Sequence, residues 1–150
     1  MSDNKYESGL AMRKQVLGDD HVQRSLDRAS EFTRPIQELA TGYCWGEIWT
    51  REGLSLRERS LINLGMLTAL NRSHELAVHV RGAVRNGCTR QEIQEALLQA
   101  SVYCGMPAGL EAFRVADQTL DAVDREREAA NGSDGSAPAR DPEVSADEGK

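Results

Sequence analysis

The stretch from Arg72 to Arg81, RSHELAVHVR, carries the residue types best suited to acid–base chemistry. Glu75 and His79 are four residues apart, so on a helix their side chains share one face, with Arg72 at the start of the same stripe. A carboxylate beside an imidazole can set its tautomer and raise its pKa, which would make His79 a general acid near neutral pH. Arg72 would add a fixed cation for an anionic substrate. The same spacing also fits an ordinary solvated ion pair on a surface helix, so both interpretations stay open at this point.

Cofactor and metal sites have no clear counterpart in the sequence. One histidine and one glutamate supply half of a metal site at best, and no third ligand stands at an obvious spacing. Nothing matches a phosphate-binding loop, a nucleophile elbow, an HExxH motif or a dinucleotide-binding fingerprint. We therefore expect either chemistry without a metal or cofactor, or no chemistry.

A second candidate for a binding pocket is the aromatic segment before residue 52. Trp45 and Trp49 are four residues apart and Arg51 follows them, so two indoles could form a pocket wall with a cation at its mouth. The alternative is that both indoles pack in the core or in an interface, as aromatic residues at helical spacing usually do.

The three cysteines, Cys44, Cys88 and Cys104, are odd in number and form no CxxC pair, which favours reduced thiols. Cys88 stands just before a helix cap, where a thiolate would be stabilised by the helix N-terminus. Cys44 and Cys104 lie in apolar helical stretches. Buried structural thiols are the favoured interpretation, ahead of a thiol enzyme.

Hydrophobic periodicity predicts an all-α fold of about six helices, with no alternating strand pattern. Ser55 with Glu58 and Thr89 with Glu92 form two capping boxes that mark helix starts. A further helix should run from Thr33 to about Trp49, with Pro35 in its first turn. The helix over 56–70 is apolar on so many faces that we expect it to be central and the chain to form a homo-oligomer.

Length and charge restrict the organisation and the classes of partner. The 150 residues suit one domain, which we place at 1–125, followed by a disordered acidic tail rich in Gly, Ser, Pro and Ala at 126–150. A net charge of −6 disfavours nucleic-acid binding. No apolar run reaches the ~20 residues of a membrane span, and the first residues do not look like a secretory signal, so a cytoplasmic location is expected.

A family resemblance rests on many ordered blocks rather than on one motif. The blocks occur in register over residues 5–123. They are Val16–Asp19 with His21-Val22, Cys44–Leu54, Arg59–Ile62, Asn71-Arg72, Glu75-Leu76, His79–Arg81, Asn86-Gly87, Glu92-Ile93, Leu97–Gln99 and Tyr103–Ala108. With these blocks the chain resembles the carboxymuconolactone decarboxylase family.

The resemblance implies an all-α homo-oligomer, often a hexamer, with sites near subunit contacts. Peroxidase-type relatives carry CxxC followed by His, and alignment puts the histidine at His79 but replaces the cysteines with Arg72 and Glu75. Ser60 stands where those relatives have a glutamate. The thiol activity of such relatives is therefore not implied for this chain.

The implied reaction is cofactor-free decarboxylation of 4-carboxymuconolactone, a lactone dicarboxylate, to β-ketoadipate enol-lactone in protocatechuate breakdown. Under this resemblance His79 would deliver a proton or stabilise an oxyanion, and Glu75 would orient it. Arg72, Arg51 and Arg81 would grip carboxylates or the lactone oxygen, and Trp45 would form a pocket wall. An enzyme of the same fold acting on a different lactone or β-keto acid, and a non-enzymatic metabolite-binding oligomer, remain as alternatives.

Overall fold

Residues 3–133 are described by the computed structural model, and within this range helices are the only regular secondary structure. Seven α-helices and one π-helical segment follow each other in the order α1 (Asp3–Leu17), α2 (Asp19–Asp27), α3 (Arg34–Leu39), the π segment (Ala40–Ile48), α4 (Leu56–Ala69), α5 (Ser73–Arg85), α6 (Arg90–Cys104) and α7 (Met106–Ser133). The all-α prediction is confirmed, with slightly more helices than the pattern suggested.

Helices α4 to α7 form a four-helix core, and α1 attaches the N-terminal part to it by packing against both the π segment and α5. The core is filled by fully buried aliphatic side chains such as Leu64, Leu76, Val80, Ile93 and Leu97. A second buried cluster joins Val16, Leu17 and Val22 to Trp45 and Trp49. Removal of these apolar surfaces from water is the main force that fixes α5 between the two clusters.

Both predicted capping boxes are present. The backbone N–H of Ser55 donates to Glu58 Oε2 at 2.7 Å, and the N–H of Glu58 donates back to Ser55 Oγ at 3.2 Å. The same exchange links Thr89 and Glu92 at 2.8 and 3.1 Å. Each box satisfies two backbone donors that a helix start leaves without partners, which fixes where α4 and α6 begin.

The segment predicted as one helix from Thr33 to Trp49 is instead α3 followed by the π segment. The wider winding is visible in the bond from the N–H of Trp49 to the carbonyl of Cys44, five residues earlier, at 3.0 Å. The packing against α1 is unusually close: a Cβ on Gly9 would lie 2.0 Å from Thr41 O, and one on Gly46 would lie 2.2 Å from Lys5 O. Glycine at both positions lets the two backbones touch, and this crossing sets where Trp45 and Trp49 lie.

Helix α7 continues to Ser133, so the boundary expected at residue 125 is wrong. The extension is tied to the core by a two-bond ion pair between Arg81 of α5 and Glu126 of α7. The remainder of the expected tail, 134–150, lies outside the described residues.

One face of helix α4 is buried in the core, and another face exposes apolar side chains to solvent. Leu64 is fully buried, whereas Ile62 and Met66 are 47% and 50% exposed. Neighbouring exposed apolar residues come from α6 and α7, namely Leu98, Val102, Tyr103, Met106 and Leu110. Scattered exposed apolar residues are normal, but a contiguous set on adjacent helices is not typical of a monomer.

None of the helices in the described range has the length and hydropathy that crossing a membrane would demand.

Candidate active site

His79 of α5 lies in an aromatic pocket formed by the π segment. Its ring is parallel to Trp45, with centroids 6.2 Å apart and planes at 4°, and it stacks on Trp49 at 6.2 Å and 21°. The indoles stack on each other at 4.8 Å, and each is only 5% exposed. The packing interpretation of the tryptophans is confirmed, because both rings belong to a buried cluster. Their role as a substrate-pocket wall stays a prediction, which their contact with His79 supports.

The polar partner of this imidazole comes from α4. Asn63 Nδ2 lies 3.4 Å from His79 Nδ1. An amide NH2 group can only donate, so Nδ1 must accept, and the proton of the neutral ring is therefore on Nε2. Sequence reasoning missed Asn63, although a single amide inside the apolar run of α4 was a usable signal.

The pKa of His79 is lowered to about 4: burial is the largest cause, His21 adds to it, and Glu75 opposes both. Glu75 thus raises the pKa, as expected, but burial outweighs it, so His79 is not a cationic general acid at neutral pH. Glu75 is exposed, so water screens its charge, while the imidazole is desolvated against the two stacked indoles. At neutral pH the group in this pocket is an uncharged imidazole whose Nε2–H can donate.

The three arginines predicted to bind substrate do not converge on His79. Arg51 and Arg72 are exposed, and Arg81 pairs with Glu126 through bonds of 2.8 and 3.0 Å. Within residues 3–133, none of the three forms a hydrogen bond with the imidazole of His79. Arg51 and Arg72 form no ion pair in the described part of the chain.

A cavity of about 670 Å³ lies beside this pocket, between α2, α5 and α7. Its basic lining groups are His21, Arg24, His74, Arg81 and Arg85, and its acidic ones are Asp19, Asp20 and Glu126. Sequence reasoning named only Arg81 of this set as a site residue. The signal was the spacing of positions 74, 78, 81 and 85, which is one helical face.

A larger groove of about 930 Å³ runs between α4 and α6, away from the predicted site residues. It is mainly apolar, and its ionisable lining includes the carboxylates of Glu92 and Glu95 but no arginine, lysine or histidine. Such a groove is unsuited to an anionic ligand. Among residues 3–133, no three metal-ligating side chains are grouped to hold an ion.

The expectation of buried thiols is confirmed for Cys88 and wrong for Cys44 and Cys104. Cys44 and Cys104 are exposed, whereas Cys88 is buried, with its Sγ 3.7 Å from the carbonyl of Arg57. Cys44 lies on the outer face of the π segment and Cys104 at the end of α6, so helical position alone did not place them inside. Burial raises the pKa of the Cys88 thiol, which outweighs the stabilisation expected next to a helix start.

Known proteins match this chain over most of the described fold. It is 46% identical over 80% of its length, and 85% of the relative's, to a protein named nitrosuccinic acid decarboxylase npaB from Metarhizium robertsii. It is 38% identical over 79% of its length, and 88% of the relative's, to 4-carboxymuconolactone decarboxylase from Acinetobacter baylyi. The model of the family described as "Carboxymuconolactone decarboxylase family" matches residues 34–118. These matches confirm the resemblance inferred from the residues, and the chain belongs to the carboxymuconolactone decarboxylase family.

Proposed function

We propose that this protein is a carboxy-lyase that needs no cofactor and acts on a small lactone dicarboxylate, with 4-carboxymuconolactone as the first candidate substrate. The products would be β-ketoadipate enol-lactone and carbon dioxide, in the protocatechuate branch of the β-ketoadipate pathway. The observation that carries the proposal is the uncharged His79, stacked on two indoles, in a chain whose relatives are named decarboxylases.

The substrate itself would hold the electrons released by decarboxylation. When the ring carboxylate leaves as carbon dioxide, the electron pair of the broken bond delocalises through the ring double bond into the lactone carbonyl. The resulting dienolate then takes a proton at carbon, which yields the enol-lactone. The protein has to bind the dianion, desolvate the departing carboxylate and stabilise the new oxyanion.

His79 fits the role of oxyanion donor better than that of cationic acid. An imidazole with a pKa of about 4 is neutral at physiological pH, and its Nε2–H can still donate a hydrogen bond to the developing oxyanion. The two indoles exclude water from one side of the imidazole, which strengthens the hydrogen bond from Nε2–H to the oxyanion. The same exclusion of water favours departure of the carboxylate as neutral carbon dioxide. Asn63 is the group that orients the ring, while Glu75 contributes its charge from an exposed position.

Arg51 and Arg72 are proposed to grip the substrate at the mouth of this pocket. Arg51 is two residues after Trp49, and Arg72 is the residue before α5, so both flank elements that contribute to the pocket. Neither is neutralised by an ion pair among the described residues, so their charges are available to a carboxylate.

Nitrosuccinate is the second candidate substrate, favoured by the 46% identity to the relative named for it. The electronic requirement is the same: loss of carbon dioxide from the carbon that bears the nitro group leaves a nitronate, which the nitro oxygens stabilise. A second carboxylate is again retained. The proposed pocket would serve both molecules, because it supplies a donor to the new anion and no group specific to a lactone.

The test is a direct comparison of the two substrates. Purified protein, dialysed against a chelator, is given freshly generated 4-carboxymuconolactone or nitrosuccinate, and carbon dioxide and product are measured by time. We expect turnover of the lactone with kcat/KM at least as high as for nitrosuccinate. A preference for nitrosuccinate would make nitrosuccinate the assigned substrate, and the protein would still be a decarboxylase. Absence of turnover with both would favour the metabolite-binding alternative, and activity restored only by added metal would contradict cofactor-free catalysis.

We further propose that the chain forms a homo-oligomer, with a hexamer as the expected state. The support is the set of exposed apolar residues on α4, α6 and α7, including Met66, Val102 and Leu110 at 50%, 73% and 70% exposure. Light scattering at micromolar concentration should give a multiple of 16.5 kDa, and the monomer mass would contradict the proposal.

The proposed partners are accordingly the substrate and further copies of the chain. The net charge of −6 argues against nucleic acid as a partner. A cytoplasmic location is proposed because three thiols without a pairing pattern suit a reducing compartment.

A further inference from the structure

The cavity between α2, α5 and α7 contains arginines in two different states. Arg81 is neutralised by its two-bond ion pair with Glu126. Arg24 and Arg85 also line the cavity, yet neither has a hydrogen bond or ion pair through its side chain among residues 3–133. Both are exposed, and the charge of Arg85 acts on Glu126 without a hydrogen bond or ion pair, so the donors of both guanidinium groups are available to bind an anion.

The guanidinium group of Arg85 lies against Gly18, the residue before α2. Its Nη2 is 2.8 Å from the place where a Cβ on Gly18 would be, so a larger residue there would displace the guanidinium. Gly18 also has a φ of 89°, in the region that favours glycine. The residue type at position 18 thus permits both the turn between α1 and α2 and the approach of Arg85.

Three arginines and three carboxylates line the cavity, but the charges that act on His21 within it are positive. The pKa of His21 is lowered first by burial and then by Arg13, Arg24, His74 and Arg85. Asp19 and Asp20 also line the cavity, but they are exposed in the first turn of α2, where a helix N-terminus already stabilises carboxylates. An anion placed near His21 would therefore meet a positive potential.

The cavity adjoins the proposed catalytic group. Val78 lines it and His79 is the next residue of α5, on the neighbouring face of the helix. His21 lines the cavity and lowers the pKa of His79 electrostatically, so the two imidazoles are within reach of each other. A volume of about 670 Å³ is within the usual range for a small-molecule site.

We infer that this cavity is a subsite for the carboxylate that the substrate keeps, with Arg24 and Arg85 as the cations that bind it. The inference rests on the proposed decarboxylase function and names the part of the site that selects dicarboxylates. A substrate would place its departing carboxylate beside the indoles and its retained carboxylate between the two arginines. Arg81, paired with Glu126, forms part of the wall.

The experiment separates binding from turnover. Arg24→Gln, Arg85→Gln and the double variant are compared with Arg34→Gln, an exposed arginine at the start of α3 that does not line the cavity and has no ion pair among the described residues. We expect KM to rise about tenfold or more in each single variant, as for loss of a charged hydrogen bond, with kcat within about threefold. Arg85→Lys should recover part of the loss, and Arg34→Gln should match the parent. Unchanged KM in both single variants would overturn the inference.

Binding of succinate, measured by calorimetry, distinguishes failure of the subsite from failure of the proposed function. If the parent binds succinate and the double variant does not, the subsite stands even when neither candidate substrate is turned over. If the parent turns over its substrate but succinate neither binds nor inhibits, the decarboxylase proposal stands and the subsite is overturned. Butyrate, with one carboxylate, should bind at least tenfold more weakly than succinate, because one charged contact is lost.

Discussion

The two sides of α5 differ sharply in how they treat charge. On one side His79 stacks against two indoles that are almost fully buried, and desolvation keeps its imidazole uncharged at neutral pH. On the neighbouring side Arg81 and Arg85 face a cavity that is open enough to hold a charged ligand. The apolar face of α5 that carries His79 and the face that carries the arginines are therefore adjacent on the same helix. We call them the dry side and the cationic side.

This difference matches what a decarboxylation requires. The departing carboxylate loses its charge, so surroundings that solvate charge poorly favour its loss. The retained carboxylate stays charged, so it has to be bound by cations. Without them, the free-energy cost of burying this charge would oppose binding of the substrate. The following experiments test whether the two sides are functionally distinct.

The largest effect is expected from removal of the donor on the dry side. His79→Ala should lower kcat by roughly 100- to 10,000-fold, the range for loss of a positioned proton or hydrogen-bond donor. His79→Gln, which keeps a donor that does not titrate, should lose less, since a neutral donor is the proposed role. The comparison is made at equal folded fraction and unchanged oligomer mass. Turnover of His79→Ala within about threefold of the parent would make the histidine structural.

Opening the aromatic wall should affect both stability and the imidazole. Trp45→Ala is expected to cost about 3–5 kcal/mol of unfolding free energy, as is typical for a buried tryptophan, and to raise the pKa of His79 toward the 6.5 of a free imidazole as water enters. NMR titration of the His79 ring and urea unfolding measure the two effects. Trp45→Phe is the control, because it keeps an apolar ring. An unchanged His79 pKa in Trp45→Ala would show that the indole is not what desolvates the ring.

The dry side should also make stability depend on pH. The pKa of His79 is about 4 in the fold against 6.5 for the free group, so the unfolded chain binds more protons between these values. The contribution of His79 is therefore complete above about pH 6.5 and is lost as the pH falls toward 4. Urea unfolding at several pH values should show a shallower decline for His79→Gln than for the parent, with the contribution of His21 present in both. Parallel declines would contradict the lowered pKa.

On the cationic side, loss of Arg81, which is paired with Glu126, should raise KM less than loss of Arg85, which forms no ion pair among the described residues. Arg81 and Glu126 are partly exposed, and such pairs contribute up to about 1 kcal/mol, so Arg81→Gln should reduce stability only slightly. Its KM should rise less than that of Arg85→Gln, because the charge of Arg81 is already neutralised. Steady-state kinetics of the two variants side by side give the answer, and a larger rise for Arg81→Gln would reverse the proposed roles.

The smallest effect is expected from deletion of residues 134–150, which lie outside the described residues. Oligomer mass and kcat/KM should stay at the parent values, because this acidic segment has Val144 as its only larger aliphatic residue to anchor it. Light scattering and kinetics of the truncated chain test this. A tenfold loss of kcat/KM would show that the segment reaches the site.

The sequence by itself determined the features that depend on neighbouring residues. The capping boxes at Ser55 and Thr89 were predicted correctly because their hydrogen bonds join residues three positions apart. The helical class followed from periodicity, and the family from many ordered blocks, including the one that contains His79. Trp45 was also recognised as a candidate wall, since four-residue spacing from Trp49 already places both rings on one side of a helix.

Tertiary structure alone decided the features that depend on distant contacts. Glu75 is four residues from His79 and was expected to control its pKa, but burial by the π segment, some 30 residues away in sequence, has the larger effect. Arg81 looked free until α7 brought Glu126 to it, 45 residues along the chain. The π winding likewise requires Gly9 and Gly46 to touch. Desolvation and ion pairing are set by which surfaces meet in the fold, and local spacing does not contain that information.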